Sequence, residues 1–162
     1  MMKTTSEGVA LLHRFESCRL EAYPDPKSGG DPWTIGWGHT GPEVRPGLVW
    51  TQDQADAIFE QDLARFERSV QDLVDVPLEE HENDALVSFT YNLGERRLRD
   101  STLLRMLNND EDKVAIADQF LRWVSPGSTV EKGLRRRRVA ERARFLGRDW
   151  RAELDAHVAA GG

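Results

Sequence analysis

The sequence predicts an α+β fold that is mainly helical, because β-like patterns are confined to one stretch near the amino terminus. That stretch, residues 18–49, has glycine and proline around two short β-type runs, RLEAY and WTIGW. The later segments instead repeat apolar residues at helical spacing. A chain of 162 residues can form one domain with a substantial core. We therefore predict one domain over residues 1–162. It would have a small β-containing lobe at about 16–50 and a helical lobe at about 75–160, joined by a helix at about 52–74.

Two helices border the β-like stretch. The first has Ser6 as its N-cap and should end close to Glu16. Its apolar face consists of Val9, Leu12 and Phe15. The second begins at the segment TQDQ, in which Thr51 and Gln54 have the spacing of a capping box. This second helix is long and amphipathic, and we expect it to join the two lobes.

The remaining chain is predicted to be helical apart from its connections. A mostly buried helix should follow Pro77 and end at Gly94, since glycine is common directly after the last turn of a helix. Shorter helices are predicted at 102–108, 111–124, 132–146 and 149–159. The helical part therefore outweighs the β-like part.

Composition and charge narrow the functional classes. The net charge of −6 argues against a general nucleic-acid binder, because phosphate affinity comes from clustered cations. The single cysteine, Cys18, excludes an intrachain disulfide. No apolar run approaches the ~20 residues of a membrane span. The first residues, MMKTTSEGVALLHRF, lack the apolar region of a signal peptide. We therefore expect a protein that is made in the cytoplasm without a signal peptide and does not insert stably into membranes.

The irregular segment after the first helix holds three carboxyl groups that could carry chemistry. Glu16, at a helix end beside an aromatic residue, would be partly desolvated and could keep a proton near neutral pH. Asp25, in a proline-flanked polar turn, should stay hydrated and ionised, and the Thr34 hydroxyl could position a water molecule. Such a pair of carboxyl groups is what cleavage of a glycosidic bond needs. Alternatively, Asp25 and Asp31 only form turns and Glu16 is a surface acid, which is the commoner situation for this spacing.

Several motifs of the chain match one known family. FESCRLEAYPD followed by PWTIGWGHT resembles the signature of phage-type lysozymes, glycoside hydrolase family 24. That signature is an acidic Glu, the run Arg-Leu-x-Ala-Tyr, an Asp nine positions after the Glu, and Thr-Ile-Gly-Tyr-Gly-His-Thr. The matching residues are Glu16, Arg19, Leu20, Ala22, Tyr23, Asp25, Thr34, Ile35, Gly36, Gly38, His39 and Thr40. Further matches are NDALVSFTYNLG at 83–94, STLLRMLN at 101–108, Trp123, and GLRRRRVAERARFL at 133–146. The resemblance covers nearly the whole chain in order.

The resemblance implies a lysozyme-like fold with a cleft between the two lobes. It implies a muramidase that hydrolyses the β-1,4 bond between N-acetylmuramic acid and N-acetylglucosamine in bacterial peptidoglycan during host cell lysis. The implied catalytic residues are Glu16, Asp25 and Thr34. Such an enzyme binds glycan strands and not nucleic acid, needs no metal or nucleotide cofactor, acts as a monomer and leaves the cytoplasm through holin-type holes. Two alternatives stay open: a lytic transglycosylase, which needs only the acid, and a non-catalytic wall-binding protein.

The sequence departs from the family pattern in places that bear on the site. Ser17 follows the acidic Glu where the family usually has Gly, and Trp37 replaces the usual Tyr. Asp25 and Thr34 are farther apart than in the shortest family members, with the extra residues in KSGGDP. This insertion leaves Asp31 as a rival for the second carboxylate. We prefer Asp25, because it keeps the family's offset from the acidic Glu and the context AYPD.

The run Arg135–Arg138 lies on one predicted helix, so its four side chains point in different directions and cannot form a single phosphate-binding face. The resemblance implies that one of these arginines reaches back to the catalytic Glu. Alignment of the end of the helix selects Arg137, with Arg136 as the alternative. Some of the other arginines are expected to be solvated. Substitution of Arg135 or Arg138 by Met is expected to change neither the stability nor the acid limb of the pH–rate profile.

The four histidines do not have the spacing of a metal site. A histidine in a strand-end Gly-His-Thr is more often a hydrogen-bonded structural group than a catalytic one. We therefore expect His39 to have a structural role.

Overall fold

The protein, described over all of residues 1–162 by a computed structural model, has eight helices and three short strands. The order along the chain is α1 (Ser6–Phe15), β1 (Arg19–Tyr23), β2 (Thr34–Gly36), β3 (His39–Thr40), α2 (Gln52–Leu73), α3 (Glu80–Leu93), α4 (Glu95–Arg99), α5 (Thr102–Asn108), α6 (Lys113–Phe120), α7 (Glu131–Phe145) and α8 (Trp150–Ala159). The predicted α+β class, mainly helical, is confirmed. No helix is long and apolar enough to cross a membrane.

The sheet is a small antiparallel meander in which β2 lies between β1 and β3. The prediction of WTIGW as one strand is only partly right, because the chain turns directly after Gly36. Gly36 and Gly38 have φ values of 64° and 82°, which side chains other than glycine rarely allow. After the turn His39 lies opposite Ile35, so that His39 and Thr40 form a third strand that was not predicted.

Helix α2 connects the sheet with the helices of the second half. The predicted capping box is confirmed: the Thr51 hydroxyl accepts the backbone N–H of Gln54 at 3.2 Å, and the Gln54 side chain accepts the backbone N–H of Thr51 at 2.8 Å. The helix packs against β2, β3, α3 and α4. Its buried apolar residues are Ala55, Phe59, Leu63 and Val70.

Helix α3 is the centre of the helical core, since α1, α2, α4 and α7 all pack against it. Ten of its residues are buried, and these include the polar Glu82, Asn83 and Asp84 of its first turns as well as the apolar residues after them. Gly94, with a φ of 92°, ends the helix as predicted. The end of α3 therefore has a fixed position beside the sheet.

Some helix boundaries differ from the predictions for local reasons. Thr5, and not Ser6, is the N-cap of α1, and its hydroxyl accepts the backbone N–H of Gly8 at 3.2 Å. Helix α4 was not predicted, because Leu98 is its only buried residue and gives no periodicity. Helix α6 is shorter than the predicted 111–124, since Asp112 caps its start and the chain leaves the helix after Phe120.

Candidate active site

A cleft of about 560 Å³ lies between the sheet and helices α3 and α7. Three sequence-predicted site residues, Glu16, Asp25 and Thr34, line this cleft. Asp31, the rival for the second carboxylate, is exposed and does not line it. The side of the cleft opposite the sheet includes Tyr91, Asn92, Gly133, Leu134 and Arg137.

Glu16 occupies the position directly after the last turn of α1. Its backbone N–H donates to the Leu12 carbonyl at 2.7 Å, so the end of the helix fixes the main chain. The side chain is only 17% exposed. Gly38 packs against the carboxyl group so closely that a Cβ there would lie 2.9 Å from its atoms. A glycine at the turn between β2 and β3 is thus needed for the carboxyl group to sit where it does.

Arg137 is the arginine of the run that contacts Glu16, as the alignment had selected. Its Nη1 lies 3.4 Å from Oε2 of Glu16, and its Nε lies 3.1 Å from Oε2 of Glu141. The other end of the guanidinium donates to the Ser88 carbonyl at 3.0 Å. Burial alone would lower the pKa of Arg137, but the charges of Glu16 and Glu141 outweigh burial and raise that pKa. Arg137 is therefore a permanent cation that holds Glu16 from one side.

One arginine of the run was expected to turn inward, but Arg138 is a second one, because its side chain is fully buried. It forms an ion pair with Glu141, which is also fully buried, and it donates to Asn92 Oδ1 and to the Trp123 carbonyl. Arg135, by contrast, is half-exposed and pairs with Glu131 at 2.9 Å on the surface, as expected. The run thus contributes two buried cations, and both of them pair with the same buried glutamate, Glu141.

Asp25 lies in a turn and is less enclosed than Glu16. Its Oδ2 accepts the backbone N–H of Ser28 at 3.2 Å, and its backbone carbonyl accepts the N–H of Gly29 at 2.7 Å. The side chain is half-buried, with one face toward the cleft. Such a carboxylate has free acceptor capacity for water or a ligand.

Thr34 begins β2, where it pairs with Tyr23 on one side and with Thr40 on the other. Its hydroxyl has one contact within the protein, to the Pro32 carbonyl at 3.4 Å. A hydrogen bond of that length is weak, so the hydroxyl can bind a water molecule in the cleft instead.

Tyr91 and Asn92 were not predicted as site residues, although both line the cleft. The Tyr91 hydroxyl donates to the Trp37 carbonyl, which ties the end of α3 to the turn that holds Gly38. Burial raises the pKa of Tyr91, so its hydroxyl keeps its proton. The segment YNLG could have predicted them as site residues. It places polar side chains at the end of a buried helix, where the core meets a cleft.

His39 has the structural role expected of it. Its Nδ1 lies 2.6 Å from Oδ2 of Asp62 in α2, and its Nε2 lies 2.6 Å from Oε1 of Glu43. Nowhere in the chain do three or more histidine, cysteine, aspartate or glutamate residues form a cluster that could hold a metal ion.

Comparison with known proteins identifies similar chains. Residues 13–141 match the family described as phage lysozyme. The chain is 41% identical over 150 residues to the endolysin of Salmonella phage P22, covering 90% of this chain and 99% of that protein. It is 38% identical over 148 residues to the endolysin of Bacillus phage B103, covering 90% of this chain but only 54% of that protein. Among solved structures, the muramidase domain of SpmX from Asticaccaulis excentricus is 34% identical with a TM-score of 0.77, over 90% of this chain and 99% of that one.

Proposed function

The chain belongs to the phage lysozyme family, and from that premise we propose that it is an endolysin muramidase. It hydrolyses the β-1,4 bond between N-acetylmuramic acid and N-acetylglucosamine in bacterial peptidoglycan. The observation that carries the proposal is the presence in one cleft of a confined carboxyl group, Glu16, and a hydrated one, Asp25. Two carboxyl groups in unlike surroundings can divide the roles of proton donor and anion.

In the proposed mechanism, Glu16 is the general acid and donates its proton to the glycosidic oxygen as the bond to the sugar breaks. Arg137 fixes the orientation of the Glu16 side chain through a directional contact, and it favours the carboxylate that forms after proton transfer. The close approach of Gly38 leaves the same carboxyl group little exposed to bulk water.

Asp25 acts on the other side of the scissile bond. As an anion it stabilises the positive charge that develops on the sugar ring, or it activates the attacking water. The Thr34 hydroxyl, which is weakly engaged within the protein, orients that water. The turn that carries Asp25 and the first residue of β2 thus supply the second half of the reaction.

The proposal extends to the organisation of the protein. Residues 1–162 act as one monomeric catalytic domain, with lobes at about 16–50 and 75–160 and the linking helix between them. The substrate is the glycan strand and not nucleic acid. Synthesis in the host cytoplasm and release through holin-type holes form part of the same proposal.

The test is an assay on purified peptidoglycan with analysis of the product ends. A muramidase lowers the turbidity of permeabilised cells and produces one new reducing end for each bond cleaved. Solubilisation without new reducing ends would indicate a lytic transglycosylase and contradict the proposed hydrolysis. Binding to cell walls without any soluble product would indicate a wall-binding protein.

A further inference from the structure

A second cavity of about 330 Å³ borders the catalytic cleft. The two spaces are neighbours, because Thr40, Tyr91 and Asn92 belong to the walls of both. The remaining wall of this second cavity comes from α2, the end of α3, Gly94 and the start of α4. Arg65 lies on α2. Glu95 begins α4, and its carboxylate is paired with Arg99 at 3.3 Å. None of the proposed catalytic residues lines it.

Arg65 is the only cationic residue in the wall of the second cavity. Its side chain is 58% exposed, and its guanidinium carbon lies 4.5 Å from the centre of the Phe66 ring. An arginine over an aromatic face is restrained in position, because the ring attracts the cation and limits its rotamers. The cation is therefore available at a defined place in the cavity.

The protein itself leaves most of the hydrogen-bonding capacity of Arg65 unused. Its contact to a carboxylate is a distance of 3.5 Å from Nη2 to Oδ1 of Asp62. The other oxygen of Asp62 is already held by His39 at 2.6 Å. Because a guanidinium has five N–H donors in a planar fork, several remain for a ligand. A carboxylate is the group that such a fork matches with two parallel hydrogen bonds.

We propose that the second cavity binds the stem peptide of peptidoglycan and that Arg65 recognises a free carboxylate of that peptide. This inference rests on the proposed function, since it assigns the part of the same substrate that extends beyond the scissile bond. Peptidoglycan is a polyanion because its stem peptides carry free carboxylates, whereas the protein has a net charge of −6. The net charges of protein and peptidoglycan therefore do not attract each other, and a local cation beside the cleft determines the affinity for the peptide.

The test compares Arg65→Gln with the matched control Arg68→Gln. Arg68 lies on the same helix three residues further on, is exposed, and does not line the cavity. Both variants and the parent protein are assayed on soluble peptidoglycan fragments and on the same fragments after amidation of the stem carboxylates with carbodiimide and ammonia. On the untreated fragments we expect Arg65→Gln to raise KM roughly three- to tenfold with kcat unchanged, the effect of losing one charged hydrogen-bonding partner. On the amidated fragments Arg65→Gln and the parent protein should have the same KM.

The comparison separates this inference from the function on which it rests. Three results would overturn the assignment of Arg65: an equal rise in KM on both substrates, no rise on either, or the same rise for Arg68→Gln. In each case turnover by the parent protein would still support the muramidase proposal. If the parent protein cleaves neither substrate, the proposed function is refuted and the peptide site with it. Equal melting temperatures of the variants show that a change in KM is not caused by unfolding.

Discussion

Glu16 and Asp25 line the same cleft, but they differ in burial, in partners and in the backbone that carries them. Glu16 follows a helix, is enclosed by Gly38 and is held by Arg137, which is in turn fixed by buried groups of α3 and α7. Asp25 belongs to a turn, where one backbone N–H from Ser28 is its partner. A proton donor gains from a fixed geometry, whereas an anion that stabilises charge gains from hydration and free acceptor capacity. The surroundings of each carboxyl group therefore match the role that we propose for it.

The largest effect should come from replacing the enclosed carboxyl group. Glu16→Gln keeps the shape of the side chain but removes the proton that the leaving oxygen requires. We expect kcat to fall by a factor of ~10²–10⁴. The protein should still fold and bind glycan, because Arg137 keeps its partner Glu141. The measurement is the initial rate of turbidity loss together with a melting curve, and a variant that clears cells at a near-parental rate would disprove the role of Glu16.

The next largest effect should come from replacing the buried arginines near Glu16, and it should appear as a loss of stability of the folded protein. Arg137→Met leaves the Glu16 carboxyl group and the Ser88 carbonyl without their partner. Arg138→Met leaves the Asn92 side-chain oxygen and the Trp123 carbonyl unpaired. Glu141 keeps the other arginine in each variant, so we expect each substitution to cost about 1–3 kcal/mol of unfolding free energy, the cost of leaving buried polar groups unsatisfied. Arg135→Met removes an exposed pair and should cost less than about 1 kcal/mol. Urea unfolding of the three variants gives these values directly. Equal unfolding midpoints would mean that the buried cluster does not support the site.

Activity distinguishes the two buried arginines from each other. Arg137 contacts Glu16 at 3.4 Å, whereas Arg138 contacts Glu141, Asn92 and the Trp123 carbonyl. Arg137→Met should therefore lower kcat, because Glu16 loses the contact that fixes the orientation of its side chain. Arg138→Met should lower kcat less, because Arg138 does not contact Glu16. A fall of the same size in both variants would indicate a general loss of structure.

The sequence was informative about features fixed by neighbours along the chain. The capping box at Thr51 and the glycine at position 94 depend on residues within one helical turn, so their pattern is visible in the sequence. The N-cap of α1 was misplaced because Thr5 is selected by a distant partner: its backbone N–H donates to Asp84 in α3 at 2.9 Å. The turn after Gly36 was missed because a continuous β-type run conceals a hairpin.

The candidate site shows the same limit. The resemblance to the family signature selected Glu16, Asp25 and Thr34, and all three line the cleft. The fate of Arg138 could not be derived, because four identical residues in a row carry no information about which side chain meets Glu141 inside the protein. The contribution of Tyr91 depends on its hydrogen bond to the Trp37 carbonyl, a contact across 54 positions of the chain.

The loop carboxylate should have a smaller effect than the enclosed one. Asp25→Asn removes the anion beside the developing cation, and we expect a loss in kcat of the order of 10²-fold, near the low end for acid–base groups. Asp31→Asn should change kcat less than about twofold, since Asp31 is exposed and outside the cleft. Thr34→Val keeps the shape and removes the hydroxyl, so it should rank with Asp25→Asn. The reverse order of the two aspartates, at equal concentrations of folded protein, would assign the second carboxylate to Asp31.

The smallest expected effect concerns His39, which holds the strand side of the cleft to α2. The hydrogen bond to Asp62, with a further one to Glu43, raises the pKa of His39 above its ordinary value of 6.5 despite burial. A raised folded pKa means that the stabilisation is complete below pH 6.5 and is lost as the pH rises through the folded value. We expect a loss of roughly 1–2 kcal/mol over that interval, the contribution of a partly buried charged hydrogen bond.

His13 defines the pH interval in which the contribution of His39 can be measured. Burial lowers the pKa of His13, so its contribution to stability increases as the pH rises toward 6.5 and is constant above that value. The slope above pH 6.5 therefore reports His39, and unfolding free energies measured from pH 6.5 upward should decline in the parent protein and stay level in His39→Gln. Parallel curves for the two proteins would mean that the ion pair contributes nothing, and the strand side of the cleft would then be attached to α2 by packing alone.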